Sequence, residues 1–273
     1  MHFIIKDQFS PFLVHGRLWG LDVGIRWYGL AYLFGFVAMY LFFRKAANRS
    51  EVEGFRPEHL DNLALRIIVG VLVGGRVGFV VQHPETLLHH PLFLISIWNG
   101  GMAYFGGLAG AILAIWSFAW QYRISFLAMT DVCAMPAALA LGVGRIANFV
   151  NGELYGKPTF SNWGVIFQKT GGGPLPRHPS QLYECVSHLV LFAILVFAYR
   201  RWHGKIRPGA VSFVYLIGYG LFRVITDFYR QDDVYWGPLS DGQWFSLGVA
   251  LAGAISLYFN QRRRLEAPTP PSP

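Results

Sequence analysis

Arg145, Asn148, Asn151 and Glu153 stand together in the run 144–156 (GRIANFVNGELYG), at the end of an apolar stretch that begins near Phe126. Ionisable groups at the end of a membrane span are costly unless they serve a site, so this run is the first place to look for chemistry. On a helix continuing through Phe149, Arg145 and Asn148 share a face at i, i+3. A guanidinium is a rigid fork of donors suited to phosphate oxygens. An amide beside it can bind a glycerol hydroxyl or an ester carbonyl. The alternative is an arginine that only reaches outward to water from a helix end. The polar residues crowded behind Arg145 favour a site.

Three other groups carry polar chemistry into apolar stretches. Tyr219, Arg223, Asp227 and Arg230 follow one another in steps of four, four and three, which places them on one helical stripe. Arg223 and Asp227 form either a plain intrahelical ion pair or a second phosphate-binding arginine held by its carboxylate. Gly70, Gly74 and Gly78 make a small-residue stripe suited to close helix packing. Arg76 lies about 200° around the helix from Gly74, facing either a polar interior or the lipid boundary. Finally, His178, Gln181, Tyr183 and Glu184 cluster where another span opens. Ser180 with Tyr183 is not a capping box, so a polar plug or gate is the reading. Tyr28, just after Arg26 and Trp27, is either an interfacial aromatic or a site residue.

The elements that must position these groups are membrane helices. Hydrophobic residues make up 53%, mean hydropathy is +0.37, and charged residues are 14%, against about a quarter in soluble domains. Apolar stretches long enough for a ~30 Å hydrocarbon core recur near 27–43, 63–81, 103–120, 126–143, 184–199, 210–226 and 243–260. The expected fold class is an all-α integral membrane protein of seven transmembrane helices with a small irregular periplasmic cap. It forms one polytopic domain over residues 1–266, with the cap near 148–180 and a disordered, Pro-rich tail at 267–273.

Basic residues set the orientation. Arg44, Lys45, Arg49, Arg56, Arg123, Arg200, Arg201, Lys205, Arg207, Arg262, Arg263 and Arg264 all fall on one side of seven spans, whereas the loop 82–98 has no lysine or arginine. The positive-inside rule then places the N-terminus outside and the C-terminus in the cytoplasm. The net charge of +8 fits anionic lipid headgroups, and no nucleic-acid motif accompanies it. Residues 1–20 lack the pattern of a cleaved signal peptide. Cys133 and Cys185 read as small core residues without metal-ligand spacing.

The run 144–156 resembles the signature G-R-x-x-N-F-x-N-x-E-x-x-G of bacterial prolipoprotein diacylglyceryl transferases, with every fixed position kept. Trp27, Tyr28 and Gly29, the Gly74–Gly75–Arg76 triplet, Asp131, the 178–184 run, and Gly218, Tyr219, Gly220, Phe222 and Arg223 are also similar in order and spacing. The resemblance covers about residues 15–262. It implies seven spans with a periplasmic N-terminus in the bacterial inner (cytoplasmic) membrane. It also implies a reaction, transfer of diacylglyceryl from phosphatidylglycerol to the lipobox cysteine thiol of a prolipoprotein signal peptide. A thioether forms and glycerol 1-phosphate leaves; no metal and no cofactor is implied.

In that light Arg145, Arg223, Asp227 and Tyr28 are the expected catalytic residues. Arg145, Asn148, Asn151, Glu153, Gly156, Tyr219 and Arg76 are expected to bind phosphatidylglycerol, and membrane lipids surround the whole. Two departures stand out. Where the family carries G-G-M-S-F-H-G-G, residues 100–107 read GGMAYFGG, so Phe105 occupies the position of a histidine proposed as the thiol's base. The family's glutamate one turn after Arg223 is Asp227. The competing expectations are a diverged paralogue that binds phospholipid with altered or lost transfer, and a lipid transporter. The second is disfavoured because there is no convincing internal repeat.

Overall fold

The structure, a computed structural model, describes residues 5–6, 10, 12–18, 21–89, 92, 101–231 and 234–265. The expected tail at 267–273, most of the loop 82–98 and Gly100 lie outside the described residues. The chain divides into two compact units, Tyr40–Val132 and the combination of Met1–Met39 with Cys133–Pro273.

Helix α1 (Trp27–Asn48) runs from the second unit into the first-named one. Within Tyr40–Val132 the main elements are α2 (Leu60–Gln82), the short α3 (Pro84–His89) and α4 (Tyr104–Tyr122). The glycine stripe of α2 meets a second stripe on α4. A Cβ on Gly70 would lie 2.5 Å from the Gly110 carbonyl oxygen, one on Gly74 would collide with the Gly106 carbonyl, and one on Gly78 would sit 2.9 Å from Gly106 Cα. Missing side chains thus let two backbones touch, the packing that small residues allow in lipid. Arg76 is 2% exposed, and its Nη1 donates to the Gly101 carbonyl at 2.8 Å. It therefore faces the interior, where Ala103 N also donates to Gly75 O at 2.9 Å and ties the start of α4 to α2.

The larger unit holds most of α5 (Phe126–Asn151), α6 (Ser180–Trp202), α7 (Ala210–Asp227) and α8 (Asp241–Leu265). Helices α7 and α8 approach at Gly220 and Gly253, where a Cβ would strike Ser246 O and Ala250 in one case and Leu216 Cβ in the other. Between Gly152 and Pro179 the chain is largely irregular, held by β4 (Val165–Ile166) and by single bridges pairing Gly156 with Arg230 and Arg177 with both Pro158 and Val165.

Among the described residues, six helices are long and apolar enough to cross a membrane: Trp27–Asn48, Pro57–Gln82, Phe126–Asn151, Ser180–Trp202, Ala210–Asp227 and Asp241–Arg262. The remaining expected span is α4, a helix of 19 residues. The all-α expectation holds for the long elements but missed short strands. The strands β2 (Phe12–Leu18) and β3 (Leu21–Arg26) form an antiparallel hairpin, β5 (Tyr235–Trp236) pairs with β6 (Leu239–Ser240), and β1 (Ile5–Lys6) runs parallel to β4. In β2 and β3 the alternation is too brief to compete, in a hydropathy reading, with helices of more than 20 residues.

Candidate functional site

Helix α5 continues past the expected end at Val143 to Asn151, so Arg145, Asn148 and Asn151 are all helical. It stops at Gly152, whose φ of +68° is open to glycine. Gly152 N donates to Phe149 O at 3.0 Å and Glu153 N to Asn148 O at 3.0 Å, the paired bonds of a Schellman motif. That turn fixes Glu153 beside the helix it has just left. The Tyr28 hydroxyl donates to Glu153 Oε2 at 2.6 Å, Asn148 Nδ2 donates to the Tyr28 oxygen, and Arg145 Nη1 donates to Asn148 Oδ1 at 3.3 Å. Asn151 Nδ2 reaches Glu153 Oε1 at 3.5 Å. Tyr28 is therefore tied into the polar chain.

The start of α6 is stapled to the same segment. Gln181 Nε2 donates to Glu153 O at 2.6 Å and Ser180 Oγ to Leu154 O at 2.9 Å, with both residues buried. Gly156 is a point of close backbone approach: its N–H donates to His178 O at 2.9 Å, and a Cβ there would strike Tyr229 O. His178 Nδ1 lies 3.1 Å from the Tyr183 hydroxyl, which also accepts from Trp163 Nε1 at 2.8 Å. Desolvation holds the His178 imidazole below its ordinary pKa, so it is neutral at pH 7. Of the four residues read as a gate, His178, Gln181 and Tyr183 thus form an anchor for the irregular segment.

Glu184 is different, and its position is the centre of the site. Arg145 Nε lies 2.6 Å from Glu184 Oε2, Arg223 Nη1 2.9 Å from Glu184 Oε1, and Arg230 Nη1 3.5 Å from the same Oε1, three ion pairs on one carboxylate. Arg223 Nε also forms an ion pair with Asp227 Oδ1 at 3.0 Å, one turn along α7. Glu184 is 2% exposed and Asp227 1%. Both α5 and α7 thus send an arginine to one carboxylate on α6. Among the described residues, three guanidiniums and two carboxylates meet in one buried cluster. Burial, and then the like charge of Arg223, hold Arg230 below the ordinary arginine range. A cluster so rich in cation is suited to an anion, because a guanidinium has five N–H donors and one carboxylate contact does not exhaust them.

Sequence reading paired Arg223 with Asp227 and placed Arg145 beside Asn148. It missed that Glu184 joins the two arginines and that Arg230 completes the set. The signal was available as charge balance: buried arginines on two helices need a carboxylate between them, and Glu184 lies in the opening turns of an apolar helix. Tyr219 lies outside the ion pairs, stacked on His188 with ring centroids 5.8 Å apart and on Tyr215 at 6.0 Å. Arg76 and Phe105 belong to the other unit. Phe105 is the second residue of α4, exposed, in edge contact with Tyr104 at 5.4 Å.

Long apolar helices around a buried arginine–carboxylate cluster define a multi-pass membrane protein with a polar interior site. The family model described as prolipoprotein diacylglyceryl transferase matches residues 17–259. Similar curated proteins bear the name phosphatidylglycerol–prolipoprotein diacylglyceryl transferase. The one from Cupriavidus metallidurans is 41% identical over 270 residues, covering 95% of this chain and 96% of the relative. That from Nitrosomonas europaea is 42% identical over 268 residues, covering 95% and 92%. That from Geobacter sulfurreducens is 42% identical over 247 residues, covering 88% and 92%. The chain belongs to the prolipoprotein diacylglyceryl transferase family.

Proposed function

We propose that this protein transfers diacylglyceryl from phosphatidylglycerol to the lipobox cysteine of prolipoproteins, and that the Arg145–Glu184–Arg223 cluster is where the phosphate is held. The observation that carries the site is the shared carboxylate, which orients two guanidiniums from different helices toward one place. Guanidinium donors of Arg145 and Arg223 suit the oxygens of a phosphodiester. As sulfur attacks the glyceryl carbon, the carbon–oxygen bond to phosphate breaks and a second negative charge develops on the leaving group. Oriented cationic donors in a low-dielectric site stabilise such charge without reorganising at the moment of reaction. Asn148, Tyr28 and Glu153 form the polar wall next to Arg145 and suit the lipid's glycerol hydroxyls.

In this reading α4 is the third of seven spans, the segment 152–179 caps the periplasmic side, and the C-terminus lies in the cytoplasm of a cell whose inner membrane supplies the lipid. The basic residues of one side support that orientation. Phe105 leaves the deprotonation step within reach: a thiol of pKa about 8.5 needs only about 2 kcal/mol to ionise at pH 7.

The test incubates purified protein with a lipobox peptide in vesicles of phosphatidylglycerol, and separately of phosphatidylcholine, followed by mass spectrometry. A peptide carrying a diacylglyceryl thioether from the first vesicles and not from the second is the expected result. A protein that retains phosphatidylglycerol yet yields no thioether would be a lipid-binding paralogue and would contradict the proposal.

A further inference from the structure

His188 lies one helical turn beyond Glu184 on α6 and is 4% exposed. Residues at i and i+4 share a helix face, so the imidazole stands on the face that carries the site's central carboxylate. The ring is held flat against Tyr219 of α7, with an interplanar angle of 9° and centroids 5.8 Å apart. Toward α5 it packs at Gly142, where a Cβ would come within 3.4 Å of His188 Cβ. The charged and titratable groups around it are Arg145 from α5, Glu184 from its own helix, and Arg223 with Tyr219 from α7. Its Nδ1 is buried and makes no hydrogen bond among the described residues. A buried imidazole nitrogen without a partner is unfavourable unless something else reaches it.

We propose that His188 takes the proton of the attacking thiol, the task left open by Phe105. This rests on the transferase reading above. The proton passes from sulfur to an imidazole nitrogen; the sulfur electron pair forms the bond to the glyceryl carbon; the carbon–oxygen bond breaks and its electrons leave with glycerol phosphate. The neutral thiol, the neutral imidazole and the phosphodiester monoanion become a neutral thioether, an imidazolium and a phosphate monoester dianion, so charge balances. Placement in this cluster has a physical advantage. Protonation of His188 places a positive charge beside the site at the moment the leaving group acquires its second negative charge. The imidazolium then returns its proton to the departing monoester, whose second pKa is near 6. Imidazole, with an ordinary pKa of about 6.5, is the side chain matched to such an exchange near neutrality.

The test uses full-length protein in phosphatidylglycerol vesicles with two lipobox peptides, one with cysteine and one with selenocysteine. A selenol is a much stronger acid than a thiol and is already ionised at neutral pH, so it needs no base. At pH 7 His188→Gln should lose about tenfold to 30-fold in rate with the cysteine peptide, the most that ionising a thiol of pKa about 8.5 costs there, and stay within about threefold of wild type with the selenocysteine peptide. His188→Asn is assayed beside it, and retained phosphatidylglycerol reports an intact site. An equal loss with both peptides in a variant that still holds lipid, or no loss with either, overturns the proposal. The wild type gives a reading independent of any variant. Its rate with the cysteine peptide should level off below the thiol's own pKa of about 8.5, and a rate that climbs through that value overturns the assignment. A wild type inactive on both peptides refutes the transferase reading itself, a distinguishable outcome.

Discussion

Two buried arginine environments in this chain solve the same problem by different means. Arg76 sits in a unit where α2 and α4 meet backbone to backbone through Gly70, Gly74, Gly106 and Gly110, and it donates to a neutral carbonyl at Gly101. Arg145, Arg223 and Arg230 instead converge on carboxylates contributed by other turns and another helix. Carbonyl dipoles can hold a guanidinium in place as structure. Shared carboxylates hold several at once and orient them toward one place. One arrangement ties α2 to the chain before α4; the other gathers guanidiniums from several elements at one place.

The largest effect that would break this contrast is removal of the shared carboxylate. Glu184→Ala leaves three guanidiniums crowded without their common partner, and breaking a buried pair costs about 3–5 kcal/mol. We expect loss of transfer and a large fall in thermal stability in detergent. A stable, active variant would show that the cluster is not organised by Glu184. Next comes the other region: Gly74→Leu must push α2 and α4 apart, and we expect aggregation or a markedly lower melting temperature with little folded protein recovered. Tyr28→Phe removes a hydroxyl bound by Glu153 and Asn148, so it should lower kcat/KM by about 10-fold to 100-fold, in line with about 1.5–3 kcal/mol for a hydrogen bond to a charged group. An unchanged kcat/KM would assign Tyr28 to the membrane interface.

The smallest effect concerns the anchor at His178. Its folded-state pKa is depressed, so below the unfolded value of about 6.5 the unfolded chain binds more protons and stability falls as pH drops. The melting temperature of the wild type should decline modestly between pH 7 and pH 5.5, and His178→Gln should flatten that slope. An equal slope in both proteins would place the titration elsewhere.

Much of this was legible in the residues. The glycine stripe on α2 announced a close helix contact, and the spacing of Arg223 and Asp227 announced their pair. The partner stripe at Gly106 and Gly110 was equally visible but needed a second helix to give it meaning. Glu184 was grouped with a gate or structural polar cluster; i, i+4 logic reads contacts within a helix, whereas this carboxylate pairs with arginines from α5 and α7. His188 gave no motif at all. One histidine in an apolar helix is ordinary until Tyr219, Arg145 and Arg223 are brought around it by packing. The short strands before α1 escaped because a hydropathy pattern sees only long apolar runs.

The central claim is that the guanidinium of Arg145, oriented by Glu184, holds the phosphate as it leaves. The most direct measurement is the rate of diacylglyceryl transfer to a lipobox peptide by wild type, Arg145→Lys and Arg145→Ala, followed by mass spectrometry in phosphatidylglycerol vesicles. The account predicts a fall of about 10²–10³-fold or more for Arg145→Ala, on the scale of losing an oxyanion donor, with Arg145→Lys recovering little because its point charge cannot grip Glu184 and phosphate together. An Arg145→Ala protein that keeps more than about a tenth of the wild-type rate would contradict it.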